Sequence, residues 1–211
     1  MRLEAVNLGR RETIRLGART VDTGIDKTPA AAAYVGPLGL VGDVVADEVN
    51  HGGRDQAVYV YGRDDYAWWE SKLGASLAPG TFGENLTVPT LGTDPRVGDR
   101  MRIGPVLLEL TAPRIPCAVF ADRMGERDWV RRFAAAERPG AYARVLVGGE
   151  IAPGDPVELE PTAADRPTLV ELMQLHYDKA APLEVVHRAL AAPIAERLRA
   201  SLERRLAQVP A

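Results

Sequence analysis

Residues 98–104 read GDRMRIG, a Gly-Asp pair that leads into a run of strand-forming residues. Two further Gly-Asp pairs, at residues 42–43 and 154–155, lead into runs of the same type, VVAD and PVELE. Turns that feed short strands in this way are typical of all-β domains. The spacing between the pairs is irregular, which argues against a solenoid repeat. The pattern predicts a mainly β fold, namely a β-barrel with a few helices inserted between its strands.

A helix is expected soon after the first strands. Tyr66, Trp69 and Leu73 recur at helical spacing. Asp64 is suited to cap the start of this helix and Gly74 its end. The other predicted elements are a hairpin or meander over residues 2–27, a short β segment over 39–47, a strand over 56–61, a helix over 127–136 and a central strand over 141–151.

A composition break at residues 161–167, PTAADRP, marks a domain boundary. The β-barrel domain, residues 1–162, lies before it, and a unit of three short helices, residues 168–211, lies after it. This second unit shows helical apolar stripes, and Pro193 is expected to open its third helix. Helices this short need a surface to pack on, so they cover either the barrel or a second copy of the chain in a homodimer.

Length and composition narrow the class of protein. The 211 residues suffice for one large domain with a sizeable core, and the single cysteine excludes an intrachain disulfide. No apolar stretch is long enough to span a bilayer, and the first residues do not resemble a signal peptide. The formal charge of −3 argues against a general nucleic-acid binder. These features favour a cytoplasmic protein that binds neither nucleic acid nor membrane.

The cysteine lies in a rigid stretch, residues 111–120, which reads TAPRIPCAVF. Pro113 and Pro116 fix the backbone on either side of Arg114 and favour extended neighbours. Cys117 is therefore expected at a stiff strand end near a permanent positive charge, which favours the thiolate. A thiolate attacks electrophiles and binds soft metals. The alternative is a small buried apolar residue, but the prolines and the arginine favour the chemical role.

A second candidate stretch, NHGGRD at residues 50–55, follows a predicted β segment. Gly52 and Gly53 let the backbone come close to a ligand and expose amide donors to an anion. The alternative is a structural turn in which His51 is a hydrogen-bonding loop residue. Lys27 is ambiguous in the same way, since it is either an anion contact at a strand end or a solvated loop lysine.

Two further stretches supply candidates for the same pocket. TFGENLT at residues 81–87 places Gly83, Glu84 and Asn85 in a loop that enters a strand, where they are suited to hydrogen bonding at a pocket rim. Arg144 alternates in phase with its apolar neighbours and is expected to point into the barrel or its mouth. There it requires an anionic partner, either a protein carboxylate or a ligand phosphate.

In order along the chain, GDVVADEVNHGGRDQAVYVY, TFGENLTV, GDRMRIG, PRIPC and YARVLVGGEIAPGDPVEL resemble the MOSC family, named after the C-terminal domain of molybdenum cofactor sulfurases. The resemblance covers residues 42–159. The helical tail is similar to the three-helix extension of stand-alone bacterial members of the YiiM type. The resemblance implies a β-barrel with a pocket that binds the molybdenum cofactor (molybdopterin) or carries sulfur for it.

The same resemblance implies roles for particular residues. Cys117 matches the family's signature cysteine, which ligates molybdenum or holds a persulfide. Sulfurases carry out desulfuration on a separate pyridoxal phosphate domain, for which this chain has no room, so pyridoxal phosphate is not expected. The residues implied to line the cofactor site are His51, Gly52, Gly53, Asp55, Gly83, Glu84, Asn85 and Arg114, with Lys27 and Arg144 in addition.

Three functions remain open at this point. The first is a molybdoenzyme that reduces small N-hydroxylated substrates such as hydroxylaminopurines. It needs an external electron-donor protein, because the sequence contains no flavin, haem or iron–sulfur motif. The second is a sulfur carrier or cofactor-handling module that receives sulfur on Cys117 from a donor. The third is a structural or interaction domain without chemistry, which the intact HGGRD, FGENLT and PRIPC motifs disfavour.

Overall fold

The computed structural model describes residues 1–48 and 51–208. Asn50 of the NHGGRD stretch and the last three residues of the predicted helical unit lie outside the described residues. The described strands are β1 (Ala5–Gly9), β2 (Glu12–Leu16), β3 (Arg19–Thr23), β4 (Lys27–Ala30), β5 (Ala33–Gly36), β6 (Gly39–Leu40), β7 (Val58–Gly62), β8 (Leu86–Val88), β9 (Arg100–Ile103), β10 (Val106–Ala112), β11 (Ala141–Val147), β12 (Gly149–Ile151) and β13 (Val157–Glu160). The described α-helices are α1 (Arg63–Leu73), α2 (Ala118–Met124), α3 (Trp129–Ala136), α4 (Leu169–Tyr177), α5 (Leu183–Leu190) and α6 (Glu196–Ala207), and Arg54–Gln56 form a short 3-10 helix.

Eight strands form one large sheet in the order β13-β9-β10-β11-β7-β8-β1-β4. Two smaller sheets accompany it, β12-β5-β6 and β2-β3, the second of which is the hairpin predicted near the start of the chain. Neighbours in the large sheet are antiparallel except β7 and β8, which are parallel because α1 lies between them in the chain. The single strand predicted over residues 141–151 is divided at Gly148 into β11 and β12, which belong to different sheets.

The residues before β1 approach the start of β13 at one corner of the large sheet. The N–H of Leu3 donates to the carbonyl of Asp155 at 2.9 Å, and the N–H of Val157 donates to the carbonyl of Met1 at 2.9 Å. No ladder pairs β13 with β4 within residues 1–48 and 51–208, so closure into a barrel is not confirmed. The part of the chain before the helical tail is mainly β, whereas the whole described chain has nearly as many helical residues as strand residues.

The predicted turns at the Gly-Asp pairs are present. Each glycine has a positive φ, between 91° and 96°, a region that glycine enters without steric cost. The second and third pairs lead into β9 and β13. The first pair does not lead into a strand: β6 ends at Leu40, and the residues that follow Asp43 form a loop. The β segment predicted over residues 39–47 is therefore wrong beyond β6.

Helix α1 begins at Arg63 and ends as predicted. The carboxylate of Asp64 accepts a hydrogen bond from the hydroxyl of Thr90 at 2.6 Å and does not cap the helix, so the predicted N-cap is wrong. Gly74 ends the helix in the left-handed conformation with φ 67°, and its N–H donates to the carbonyl of Glu70.

Two apolar clusters hold the fold together. The larger one lies along the main sheet and joins it to the helical tail. The second is aromatic and packs β7 against α1, α2 and α3. Its polar atoms are largely paired, as where the Trp69 indole donates to the Tyr61 hydroxyl at 2.9 Å. The buried rings of this aromatic cluster are Tyr59, Tyr61, Tyr66, Trp69, Phe82, Phe120, Trp129, Phe133 and Tyr142.

Helices α4 to α6 form the predicted three-helix unit. Thr168 and Glu171 make a capping box at the start of α4. Helix α6 begins at Glu196 and not at Pro193. Buried residues of all three helices belong to the same apolar cluster as the main sheet, so the unit packs on the β domain. The boundary placed before it stays a prediction. None of the described helices is long and apolar enough to cross a membrane.

Candidate functional site

A cleft with about 700 Å³ of empty space, open solvent at its mouth included, contains the cysteine. Seven of the eleven residues named from the sequence lie in its wall, namely Lys27, His51, Gly52, Gly83, Asn85, Arg114 and Cys117. They come from four separate parts of the chain, so the site exists only in the folded protein. The wall is completed by Asp22, Thr23, Gly24, Ile25, Asp43, Val44, Val45, Ala46, Asp47, Gln56, Ala57, Tyr59, Val119 and Tyr142.

Cys117 is half-buried in this wall. Strand β10 ends at Ala112, and residues 113–117 form a loop whose last residue is the N-cap of α2. The cysteine therefore lies between a strand and a helix, and not at the predicted strand end. Its side chain packs against the aromatic cluster. The thiol therefore lies in the wall of the cleft, and packing against the aromatic cluster holds the residue in place.

Arg114 is a buried cation for which residues 1–48 and 51–208 supply no ion-pair partner. Its guanidinium lies between two aromatic rings, 4.9 Å from the ring centre of Tyr59 and 4.4 Å from that of Phe120. Only 5% of the residue is exposed, and its Nε has no hydrogen-bond partner. Among the described residues, no ion pair with a carboxylate satisfies it either. Because burying an unpaired charge is costly, this side chain is prepared for an anion from outside the chain.

Lys27 has its anion within the protein. Its Nζ lies 2.6 Å from Oδ2 of Asp43, and the amide of Asn85 donates to the same oxygen at 2.8 Å. The other oxygen of Asp43 accepts the N–H of Gly9 at 2.7 Å. Burial lowers the pKa of Lys27, and the Asp43 charge opposes that shift. The trio of Lys27, Asp43 and Asn85 forms a rigid polar wall of the cleft.

His51 and Gly52 form another wall. Burial lowers the pKa of His51, and the nearby Arg114 charge lowers it further, so the imidazole is neutral near pH 7. Gly52 has φ 69°, and a Cβ at this position would lie 3.0 Å from Val45. The tight turn at Gly52 therefore requires glycine, as expected for a backbone that approaches a ligand.

Glu84 does not line the cleft, although Gly83 and Asn85 beside it do. The fully buried carboxyl accepts hydrogen bonds from the hydroxyls of Tyr66 (2.5 Å) and Thr87 (2.7 Å). Burial raises the pKa of Glu84, so the carboxyl tends toward its protonated form. Glu84 therefore supports the segment behind the wall.

Gly53, Asp55 and Arg144 also lie outside the wall. The Nε of Arg144 lies 3.1 Å from Oδ1 of Asp55, and its Nη1 lies 3.5 Å from Glu109. The anionic partners of Arg144 are thus protein carboxylates. Of the two arginines named from the sequence, Arg114 is the one that has no ion-pair partner among the described residues.

Two features of the site were not anticipated from the sequence. Asp43 was assigned only to a turn, yet it pairs with Lys27. Arg197 of α6 donates to the backbone around His51, although no site residue was predicted in the three-helix unit. The Gly-Asp motif at residues 42–43 was the only available signal for the first, and no motif marked the second.

Family models identify the class of protein. A model of the MOSC domain matches residues 47–158, and a model of the YiiM-like, 3-alpha helix domain matches residues 167–209. The chain therefore belongs to the MOSC domain family and carries the three-helix extension of its YiiM-like members.

Individual relatives agree with this assignment. The chain is 35% identical over 201 residues to uncharacterized protein YflK of Bacillus subtilis. The alignment covers 93% of this chain and 90% of that protein. It is 29% identical over 159 residues to a protein of Gibberella moniliformis named Reductase, of which this chain spans only 28%. The crystal structure of YiiM from Geobacillus stearothermophilus matches with a TM-score of 0.77 at 26% identity, covering 97% of this chain and 99% of that one.

Proposed function

We propose that the cleft binds the molybdenum cofactor, with Cys117 as a ligand of molybdenum, and that the protein reduces N-hydroxylated compounds of the hydroxylaminopurine type. One observation carries this proposal. Arg114 is 5% exposed and has no ion-pair partner among the described residues, and it lies three positions before the single cysteine of the chain. A buried cation beside a thiol calls for a ligand that brings both negative charge and a soft metal.

The donors in the cleft fit such a cofactor. Its phosphate and its anionic sulfur ligands require positive charge and N–H donors, which Arg114, Lys27 and the glycine backbone supply. At Gly83 a Cβ would lie 3.0 Å from Ile25 and 3.5 Å from the guanidinium of Arg114. The absence of a side chain at Gly83 therefore keeps the space beside this cation open.

The protein's own residues hold and orient the reactants. Cys117 fixes one end of the ligand through sulfur, while Arg114 neutralises negative charge. His51, which is neutral, is placed to donate or accept a proton at the substrate, and the Lys27 ammonium is held in place by Asp43. When bound, the cofactor supplies the two-electron chemistry that cleaves the N–O bond.

The overall reaction converts R–NHOH, two electrons and two protons into R–NH2 and water. The electrons come from an external electron-donor protein, because the sequence contains no flavin, haem or iron–sulfur motif. The name of the Gibberella moniliformis relative, Reductase, supports a redox role. We propose a cytoplasmic protein, with a homodimer as its possible assembly, that acts on a small molecule and not on nucleic acid.

A second candidate function is a sulfur carrier or cofactor-handling module. The observation in its favour is that Cys117 is half-buried and not sealed, so a sulfur donor can reach the thiol. In this function Cys117 holds a persulfide, which passes its outer sulfur to an acceptor. The neutral His51 and the unpaired Arg114 favour the reductase, because a carrier has less use for convergent polar groups.

Molybdenum analysis of protein made in a host that synthesises molybdopterin tests the proposal. The wild type should retain molybdenum and, with a chemical reductant, convert N-hydroxylated adenine or cytosine to the amine. Cys117→Ser should lose molybdenum and turnover at an unchanged melting temperature, because serine replaces the soft ligand at little cost in volume.

Full molybdenum and activity in Cys117→Ser would contradict the ligand assignment, and a collapsed melt would favour a purely structural cysteine. Molybdenum-loaded wild type that transfers sulfane sulfur from Cys117 without reducing any substrate would favour the carrier. Intact-mass spectra of the protein before and after incubation with an apo-cofactor acceptor report that transfer.

A further inference from the structure

Helix α6 reaches the cleft wall through one side chain. Arg197, in its first turn, donates to the carbonyl oxygens of Gly52 (2.8 Å), Glu48 (2.7 Å) and His51 (3.2 Å), and to the side-chain oxygen of Gln56 (2.7 Å). All four acceptors belong to the segment that carries the HGGRD motif. Few side chains other than arginine offer enough donors in a fixed plane to hold them together.

A second contact ties the same segment to α6. Oδ2 of Asp55 accepts the backbone N–H of Glu196 at 2.9 Å, while its other oxygen lies 3.1 Å from Nε of Arg144. The first N–H groups of a helix have no partner within the helix, so Asp55 acts as a cap supplied from the β domain. The start of α6 and the HGGRD segment are therefore fixed to each other from both sides.

The carbonyls that Arg197 holds determine where the neighbouring amides point. In a trans peptide the C=O and the following N–H point in opposite directions. With the carbonyls of His51 and Gly52 turned toward Arg197, the N–H groups of Gly52 and Gly53 face away from α6. Within the described part of the chain neither amide donates a hydrogen bond. Gly52 lies in the wall of the cleft, so its amide is placed to donate to an anion there.

We propose that Arg197 is a positioning residue of the cleft, which turns the amide of Gly52 toward the bound anion, so that the C-terminal helices complete the ligand site. The identity of that anion rests on the proposed function. The claim that Arg197 holds the HGGRD segment in place does not rest on the proposed function, because the contacts of Arg197 are formed within the chain itself.

Hydrogen–deuterium exchange on the full-length protein tests this role. Arg197→Ala should speed exchange in a peptide covering residues 51–57 by about tenfold or more, because charge-assisted hydrogen bonds that hold its backbone are lost. Arg199→Ala is the matched control: among the described residues, Arg199 donates only to the carbonyls of Leu190 (2.8 Å) and Ala192 (2.9 Å), both in the helical tail. Its effect should appear in a peptide covering residues 183–192 and not in 51–57. Arg197→Lys should fall between Arg197→Ala and wild type.

Molybdenum content after expression in the molybdopterin-producing host is the second readout. Arg197→Ala should retain several-fold less molybdenum than Arg199→Ala. Unchanged exchange in residues 51–57 overturns the proposal, as does faster exchange with full molybdenum content. Wild-type protein without molybdenum refutes the proposed function instead, and the exchange comparison then decides alone whether Arg197 orders the segment.

Discussion

The Nζ of Lys27 lies 2.6 Å from Oδ2 of Asp43, and the two side chains are only 8% and 7% exposed. This buried pair connects β4 to the first Gly-Asp turn and belongs to the polar wall of the cleft. Breaking one half of a buried pair leaves a charge that neither water nor protein compensates.

Asp43→Asn should lower the free energy of unfolding by about 3–5 kcal/mol, because the Lys27 ammonium loses its buried anion. Urea unfolding measures this change, and the double variant with Lys27→Met should recover part of the loss. Asp128→Asn is the control, since Asp128 pairs with Arg131 at 73% and 80% exposure and such pairs contribute less than about 1 kcal/mol. Equal effects of the two asparagine variants would show that the Lys27–Asp43 pair is not a structural link.

Glu84→Gln should become increasingly stable relative to wild type as the pH rises. Burial raises the pKa of Glu84 above its ordinary value of 4.5, so the folded protein holds a proton that the unfolded chain releases. The stability contributed by this proton is complete below pH 4.5 and is lost as the pH rises through the folded pKa. Unfolding free energies of both proteins across this range, each measured with urea, provide the comparison. A pH-independent difference contradicts the protonated carboxyl.

Arg114→Met should stabilise the cofactor-free protein while it removes the affinity for the ligand. Methionine fills the space between Tyr59 and Phe120 without a buried charge, and replacing buried charged groups by apolar side chains of similar volume stabilises proteins by about 1–4 kcal/mol. Molybdenum content should fall at the same time. The exposed Arg131→Met changes stability by less than about 0.5 kcal/mol and keeps molybdenum. A destabilised Arg114→Met protein would mean that the guanidinium already has its anion within the chain.

The pKa of His51 should rise in Arg114→Met. The positive charge of Arg114 opposes protonation of the imidazole, and its removal makes protonation easier. Titration of the imidazole protons by NMR measures the shift in wild type and variant. In wild type the pKa lies below 6.5, so stability contributed by the neutral imidazole is lost as the pH falls through the folded pKa. An identical His51 pKa in both proteins contradicts the electrostatic contact.

Local sequence signals were sufficient to predict the turns, helix α1 and the closeness of Arg114 to Cys117. A positive φ is demanded by the backbone at each Gly-Asp turn, and glycine meets that demand in any tertiary context. The stretch around Cys117 is short and contains two prolines, so its residues remain close wherever the chain runs.

Residue motifs did not determine which side chains face the cleft. Glu84 and Asn85 are consecutive residues at a bend just before β8, yet their side chains have different partners. Asn85 reaches Asp43, and Glu84 bonds to Tyr66 of the aromatic cluster. Asp55 and Arg144 were predicted to line the cleft but pair with each other outside its wall. This pairing depends on how β11 lies against the 3-10 helix, which no local spacing in the sequence indicates.

The pair formed by Arg197 and Gly52 is separated by 145 positions along the chain. During synthesis, α6 leaves the ribosome long after β4, which carries Lys27, and the segment that carries Asn85. The HGGRD wall is thus fixed only after α6 has been made. Under the proposed function, loading of the cleft consequently follows the synthesis of α6, and a chain that stalls before α6 is made has a thiol and a cation but no finished place for a ligand.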